Sequence, residues 1–220
     1  MPAAALFDVD GTLLDTNYLH TIAWAEALAQ FGHTPPMARI HGSIGMGGDH
    51  LLDHVLGDDR DRGQDEEISA AHQVLFARLW PNLRAFASAA ELLRQVRDRG
   101  WRVVLASSAS ARDLAVMRRV LDAEDAIDDA TGADDVDATK PAPDLVEAAL
   151  AKAGAEPGEA VFIGDTLWDV EAAVRSHVRC VAVLSGGFGE RALRAAGALE
   201  VHADVGELLA RLDTSVLGRP

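Results

Sequence analysis

Asp8 and Asp10 stand two residues apart at the end of an apolar run, in Leu6-Phe7-Asp8-Val9-Asp10-Gly11-Thr12. In an extended backbone that spacing turns both carboxylates to one face while Val9 faces the interior, and Gly11 lets the chain bend sharply after them. Two acids this close repel when both are ionised, so one is driven towards its protonated form unless a cation joins them. The pair therefore suits a nucleophile beside an acid/base with Mg²⁺, a hard ion that takes oxygen ligands. Composition alone would produce Asp-X-Asp-Gly-Thr on the order of once in 10⁵ positions. The non-chemical reading of the stretch is an acidic turn capping a helix.

Three more polar groups sit where short apolar runs end or helices begin: Ser107 after 101–106, Asp165 after 160–163, and Lys140 in Lys140-Pro141-Ala142-Pro143-Asp144. In open parallel sheets ligands bind beyond the carboxyl ends of the strands, so these groups are expected to converge on one rim. Together they suggest phosphoryl transfer through a covalent aspartyl-phosphate. Asp8 would attack phosphorus. Asp10 would protonate the departing oxygen and then take a proton from water, a role worth typically 10²- to 10⁴-fold in rate. Mg²⁺ would be held by Asp8, Asp165 and a backbone carbonyl near Asp10. Ser107, with backbone N–H groups near Val9 and Ser108, would cradle the phosphate oxygens, and Lys140 would neutralise developing charge. Asp169 would orient Lys140 or a water at the metal.

The elements that must position these groups follow from periodicity. Residues 16–31 show helical spacing, with Thr16 or Asn17 as N-cap and Gly32 as the stop. A short helical stretch runs from the Pro35-Pro36 pair to Ile40, Ile44-Gly45-Met46-Gly47-Gly48 breaks the pattern, and helix resumes over 49–56 and again over 66–80, where Pro81 ends it. No strand is visible between 16 and 81. From residue 84 the rhythm alternates: helix 87–99, strand 101–106, helix 112–121, an apolar piece around Ile127, helix 145–153, strand 160–163, a helix to His177, strand 178–184, a helix, a short strand near Val201, and a helix ending by Leu212. The expected fold class is α/β, a Rossmann-like parallel sheet with helices on both faces and an inserted all-helical cap. The core spans 1–15 and 82–220, the cap 16–81.

With 220 residues, 49 % hydrophobic and 25 % charged, the chain has the composition of a globular protein that can bury a sizeable core. No apolar run approaches the length of a membrane span, and residues 1–6 read as a first strand, not a signal peptide. The single cysteine, Cys180, lies in an apolar run and reads as a core thiol, for which a reducing cytoplasm is the simplest setting. A formal net charge of −15 argues against nucleic acid as a partner. The expected partner is a small phosphorylated metabolite.

In order, the four stretches resemble those of the haloacid dehalogenase-like hydrolase superfamily: Asp8-Val9-Asp10-Gly11-Thr12 is similar to its first motif, Ser107 to its second, Lys140 to its third, and Gly164-Asp165-Thr166 through Asp169 to its fourth. The helical insert resembles the cap of the branch with phosphoglycolate phosphatases and β-phosphoglucomutases. The resemblance implies a Rossmann-like core, a mobile helical lid and Mg²⁺-dependent phosphatase activity. The 2-haloacid dehalogenases lack the second aspartate of the first motif, so Asp10 speaks for phosphate chemistry. Phosphonoacetaldehyde hydrolases need a cap lysine, and the only lysines are Lys140 and Lys152. The runner-up is a mutase: His20 sits where that group places a histidine, yet Gly47-Gly48 stand where its phosphate-gripping arginine is expected. A non-catalytic phosphate or partner sensor is a third reading. Within the cap, His20, Arg39, His41 and Gly47 are the candidate specificity residues; Trp24, Leu28 and Phe31, at helical spacing, read as cap core.

Overall fold

The computed structural model describes residues 3–57, 60 and 62–219. Six strands form one parallel sheet: β1 (Ala4–Phe7), β2 (Arg102–Ala106), β3 (Asp129–Thr131), β4 (Ala160–Gly164), β5 (Arg179–Val183) and β6 (Glu200–His202), in the order β3-β2-β1-β4-β5-β6. The two halves diverge from β1, so the crevice beyond its carboxyl end lies at the switch point where such sheets bind ligands. β1 and β4 are buried at every position, and the strands read as continuous apolar runs because helices cover both faces.

One buried layer lies on either face. Phe7, Leu105, Ile163 and Val183 belong to one; Leu6, Val104, Phe162 and Ala182 belong to the other, as period-2 alternation requires. The helices α5 (Ala89–Asp98), α6 (Ala111–Leu121) and α10 (Val205–Ala210) pack on the first layer, and α7 (Asp144–Ala153), α8 (Leu167–Arg175) and α9 (Glu190–Ala196) on the second.

The sheet agrees with the α/β expectation, with one addition. β3 has the sequence Asp-Ala-Thr, too short and too polar to show a strand pattern, and it forms because β2 offers it a ladder, Val104 opposite Asp129 through Ala106 opposite Thr131.

Between β1 and β2 come α1 (Asn17–Gln30), α2 (Met37–His41), α3 (Gly48–Leu56) and α4 (Asp65–Leu79). Trp24, Leu28, Ile40, Leu51, Leu52 and Ile68 form their own buried cluster, with Phe31 packed against it. α1 and α4 also face the sheet: Ala23 and Phe76 lie in the cluster that contains Phe7 and Ile163. Thr16 does occupy the N-cap position of α1, but its hydroxyl makes no capping bond and is turned instead to Asp10.

Candidate active site

β1 and β4 run side by side with Phe7 opposite Ile163, so the residues that follow them emerge at the same sheet edge. Asp8 is 3 % exposed and Asp165 fully buried. The Thr12 hydroxyl lies between them, 2.8 Å from Asp165 Oδ1 and 3.1 Å from Asp8 Oδ2. Lys140, also buried, reaches in from the loop before α7, and its Nζ donates to Asp8 Oδ1 and, at 2.7 Å, to Asp169 Oδ1. Asp169 stands in the first turn of α8, where its Oδ2 accepts from the Thr166 N–H (2.9 Å), the Asp165 N–H (3.2 Å) and the Thr166 hydroxyl (2.7 Å). Thr166 returns the contact as N-cap, accepting from Asp169 N–H. Ligand-capable atoms of Asp8, Asp165 and Asp169 all lie within 4.8 Å of one another.

Three carboxylates and one ammonium buried together would, if all were ionised, leave two negative charges unbalanced. Burial pushes the Asp8 carboxyl up, Asp169 and Asp10 add to the shift, and Lys140 opposes it. Asp165 is held well above the usual carboxylate range by burial and by Asp169 and Asp8, against the bonds from Thr12 and Asn17. For Lys140, burial favours loss of the proton, but Asp169 and Asp8 outweigh it and keep the ammonium charged.

A divalent cation fits this imbalance. The donor set is all oxygen, as a hard cation requires. Asn17 Nδ2 donates to Asp165 Oδ2 at 2.8 Å while its buried Oδ1 has no hydrogen-bond partner. The backbone closes round the same carboxylate: a Cβ on Gly186 would lie 1.6 Å from Asp165 Oδ2, and one on Gly11, whose φ is +79°, would lie 2.4 Å from it. Asp8 and Asp165 are the residues that could hold the ion. Asp169 is engaged more heavily, its Oδ2 by three donors, two of them backbone N–H groups, and its Oδ1 by Lys140, so it orients Lys140 and the loop after β4.

Asp10 faces a different set. Its Oδ1 accepts from the Thr16 hydroxyl at 2.7 Å and meets His20 Nε2 at 3.1 Å, and its Oδ2 accepts from Ser107 at 3.3 Å. Burial opposes its ionisation, but His20, Thr16 and Lys140 prevail and lower its pKa. His20 Nδ1 contacts His72 Nε2 at 3.2 Å, and the two rings are stacked on Phe76 and Trp24 at 3.8 and 4.0 Å between centroids. Burial and the neighbouring His20 hold the His72 imidazole well below the usual histidine range.

A model of the haloacid dehalogenase-like hydrolases matches residues 2–177. The chain belongs to this family. It is 30 % identical over 217 residues to a phosphoglycolate phosphatase of Rhodospirillum rubrum, covering 94 % of this chain and 90 % of that one. Phosphoglycolate phosphatase 1 of Pseudomonas aeruginosa is 29 % identical over 192 residues, 84 % of this chain and 71 % of the relative. Among solved structures, a hydrolase from Pseudomonas syringae superposes with a TM-score of 0.91 at 35 % identity, covering 96 % of this chain and 98 % of the other.

A cavity of about 360 Å³ opens in this hydrolase between the carboxylates and the inserted helices, lined on one side by Asp8, Asp10 and Lys140 and on the other by His20, Trp24, Met46 and His72. Ser108 lines it, whereas Ser107 is fully buried behind it. The Ser107 hydroxyl, at the end of β2, donates to Asp10 Oδ2 and accepts from the Ala109 N–H. The Ser108 hydroxyl donates to the Gly45 carbonyl at 3.3 Å.

The four cap candidates part company. His20 lines the cavity. Arg39 points to the surface and donates to the His54 carbonyl. His41 stacks on Tyr18 and meets the Gly186 carbonyl at 3.0 Å, outside the cavity wall. Gly47 is the N-cap of α3, and its neighbours Gly45 and Gly48 are the glycines at the cavity. Trp24 serves both the cluster of inserted helices and the cavity wall. Sequence reasoning passed over Thr12, Thr16, Asn17, His72 and Gly186 as site residues. The first three could have been suspected from their place in or just after the acidic motif; His72 and Gly186 carry no local signal, being brought in from 52 and 169 residues beyond their partners His20 and Asn17.

Proposed function

We propose that this hydrolase is a Mg²⁺-dependent phosphatase that cleaves a small phosphate monoester through an aspartyl-phosphate on Asp8. The observation that carries the reading is the separation of the two catalytic carboxylates: Asp8 is tied to Lys140 and Thr12, while Asp10, two residues on, is tied to Thr16 and His20. One is set up as a nucleophile and the other as a proton carrier.

An Asp8 oxygen forms the new bond to phosphorus as the ester P–O bond breaks, and the leaving oxygen takes the proton of the Asp10 carboxyl, which is left as a carboxylate facing the Thr16 hydroxyl and His20. Water then attacks the phosphorus of the acyl phosphate, Asp10 accepts its proton, and Asp8 returns as a carboxylate. Lys140, held charged by Asp8 and Asp169, stabilises the charge on the transferring group. When bound by Asp8 and Asp165, Mg²⁺ shields the anionic nucleophile from the anionic phosphoryl group and draws charge from it. Residues 16–81 serve as a lid on a core of 1–15 and 82–220, and Ser108 with the N–H groups near Val9 receives the phosphate. The buried free thiol of Cys180 is consistent with a reducing cytoplasm. Among the described residues no helix is long and apolar enough to cross a membrane.

Asp8→Asn should lower turnover of p-nitrophenyl phosphate at least 10³-fold in protein that still melts cooperatively; undiminished turnover rules out the covalent route. A mutase reading draws on His20 beside Asp10, and it predicts conversion of β-glucose 1-phosphate to the 6-phosphate when primed by a bisphosphate. Absence of that product removes it.

A further inference from the structure

The wall opposite Asp8 decides what the ester's leaving group can be. Building on the phosphatase reading, we infer that the substrate is the monophosphate of a small uncharged polyol, with neither a carboxylate nor a second phosphate on the leaving group.

The cation inventory excludes a second anion. Among the described lining residues Lys140 alone is lysine or arginine, and its ammonium is already bonded to Asp8 and Asp169. Residues 16–81 hold four arginines and no lysine, and each arginine is placed elsewhere. Arg39 bonds the His54 carbonyl. Arg60 is held between Asp53 and Asp65, and Arg62 pairs with Asp53. Arg78 lines a separate cavity of about 120 Å³ with Glu26 and Leu79. Of the two histidines in the wall, His20 is committed to Asp10 and His72 to His20.

The same wall carries negative charge. Asp113, Asp134 and Asp137 line the cavity, the last two exposed at its mouth. A carboxylate or phosphate on the leaving group would be drawn from water to face these three groups with no partner of its own, which discriminates against it as effectively as a steric clash would.

What the wall does offer suits hydroxyl groups. Thr139 Oγ1 is buried with no hydrogen-bond partner, next to Lys140 in the chain. Ser69 and Gln73 of α4 present a hydroxyl and an amide, and Asp134 and Asp137 accept from hydroxyls as readily as they repel anions. Trp24, Ile44, Met46 and Leu51 supply an apolar surface for the C–H faces of a polyol. At about 360 Å³ the cavity is at the small end for a metabolite site.

The test compares kcat/KM for glycerol 1-phosphate, 2-phosphoglycolate and fructose 1,6-bisphosphate at fixed Mg²⁺, pH and ionic strength. The inference expects glycerol 1-phosphate to exceed both others at least tenfold. It also expects Gln73→Arg, which sets a guanidinium at the exposed edge of the wall, to shift the ratio severalfold towards phosphoglycolate; Asp137→Asn should shift it the same way if the arginine variant folds poorly. Phosphoglycolate hydrolysed as well as or better than glycerol 1-phosphate overturns it. Calorimetric titration of the same three esters into the Asp8→Asn protein with Mg²⁺ separates the two readings. Preferential binding of the glycerol ester, with no turnover by the unaltered protein, leaves the charge inference standing and sinks the phosphatase reading; tighter binding of phosphoglycolate sinks the charge inference whatever the turnover.

Discussion

Asp165 shows how much of the site is set by atoms that do no chemistry. Its carboxylate is fixed by Thr12 and Asn17 and enclosed by two glycines, of which Gly186 approaches most closely. A methyl at that position would fall 1.6 Å from Asp165 Oδ2, so the loop after β5 or the carboxylate has to move. Gly186→Ala should therefore weaken Mg²⁺ binding at least tenfold and destabilise the protein by about 1–3 kcal/mol, the usual range for overpacking. Gly189→Ala, where an added Cβ meets nothing within 4 Å, is the control and should leave metal affinity unchanged. Isothermal titration with Mg²⁺ and thermal melts read both effects. Equal metal affinity in the two variants would show that the close approach does not shape the site.

The elements that carry site residues are tied down by polar contacts that propensity does not record. α8 begins with a reciprocal capping box, Thr166 and Asp169, and the same Asp169 holds Lys140, so the bond that starts the helix also positions the cation. At the far edge of the sheet, Glu200 of β6 accepts from the Val216 N–H and the Ser215 hydroxyl, each at 2.8 Å, and contacts His202 at 3.0 Å, fastening the C-terminal segment to the last strand. Burial opposes ionisation of Glu200, but the contacts from His202, Val216 and Ser215 prevail and lower its pKa below 4.5. A lowered folded-state pKa means that the unfolded chain binds more protons as pH falls through that range, so this stabilisation is present at neutral pH and lost in acid. Glu200→Gln should cost about 1 kcal/mol at pH 7, discounted for partial exposure. The deficit should shrink below pH 4.5 in urea melts at successive pH values; a deficit that does not change with pH would separate it from the carboxylate's charge.

At the scale of the whole molecule, a sheet edge, an inserted set of helices and one cluster of buried carboxylates form a single ligand-linked unit. Asp8 is raised from 3.8 to about 7, so the folded chain holds a proton that the unfolded chain has released, and the contribution of this group to stability falls across that interval. A cation bound to Asp8 and Asp165 would remove the penalty. The gap in Tm between Mg²⁺-loaded and EDTA-treated protein should widen from pH 5 to pH 8, and at fixed pH the stabilisation should grow with Mg²⁺ concentration, reaching about 2.7 kcal/mol at a hundredfold excess over Kd. Asp165→Asn should abolish the Mg²⁺ dependence; a persistent shift in that variant would place the ion elsewhere.

The α/β class, five of the six strands and the alternation that builds the sheet were legible in the sequence, because buried parallel strands must be apolar and the helices between them must be amphipathic. The acidic motif and the residues that end β2 and β4 were legible as well, since strand ends in such a sheet share one edge. Three things awaited the tertiary structure. β3 exists only because β2 offers its hydrogen bonds to Asp129–Thr131. The contact of the Ser107 hydroxyl with Asp10 depends on how the end of β2 packs. The cavity wall draws Trp24, Ser69, His72 and Gln73 from two helices. Periodicity reports which face of a helix is buried, but long-range packing alone decides against what, and so which side chains meet the substrate.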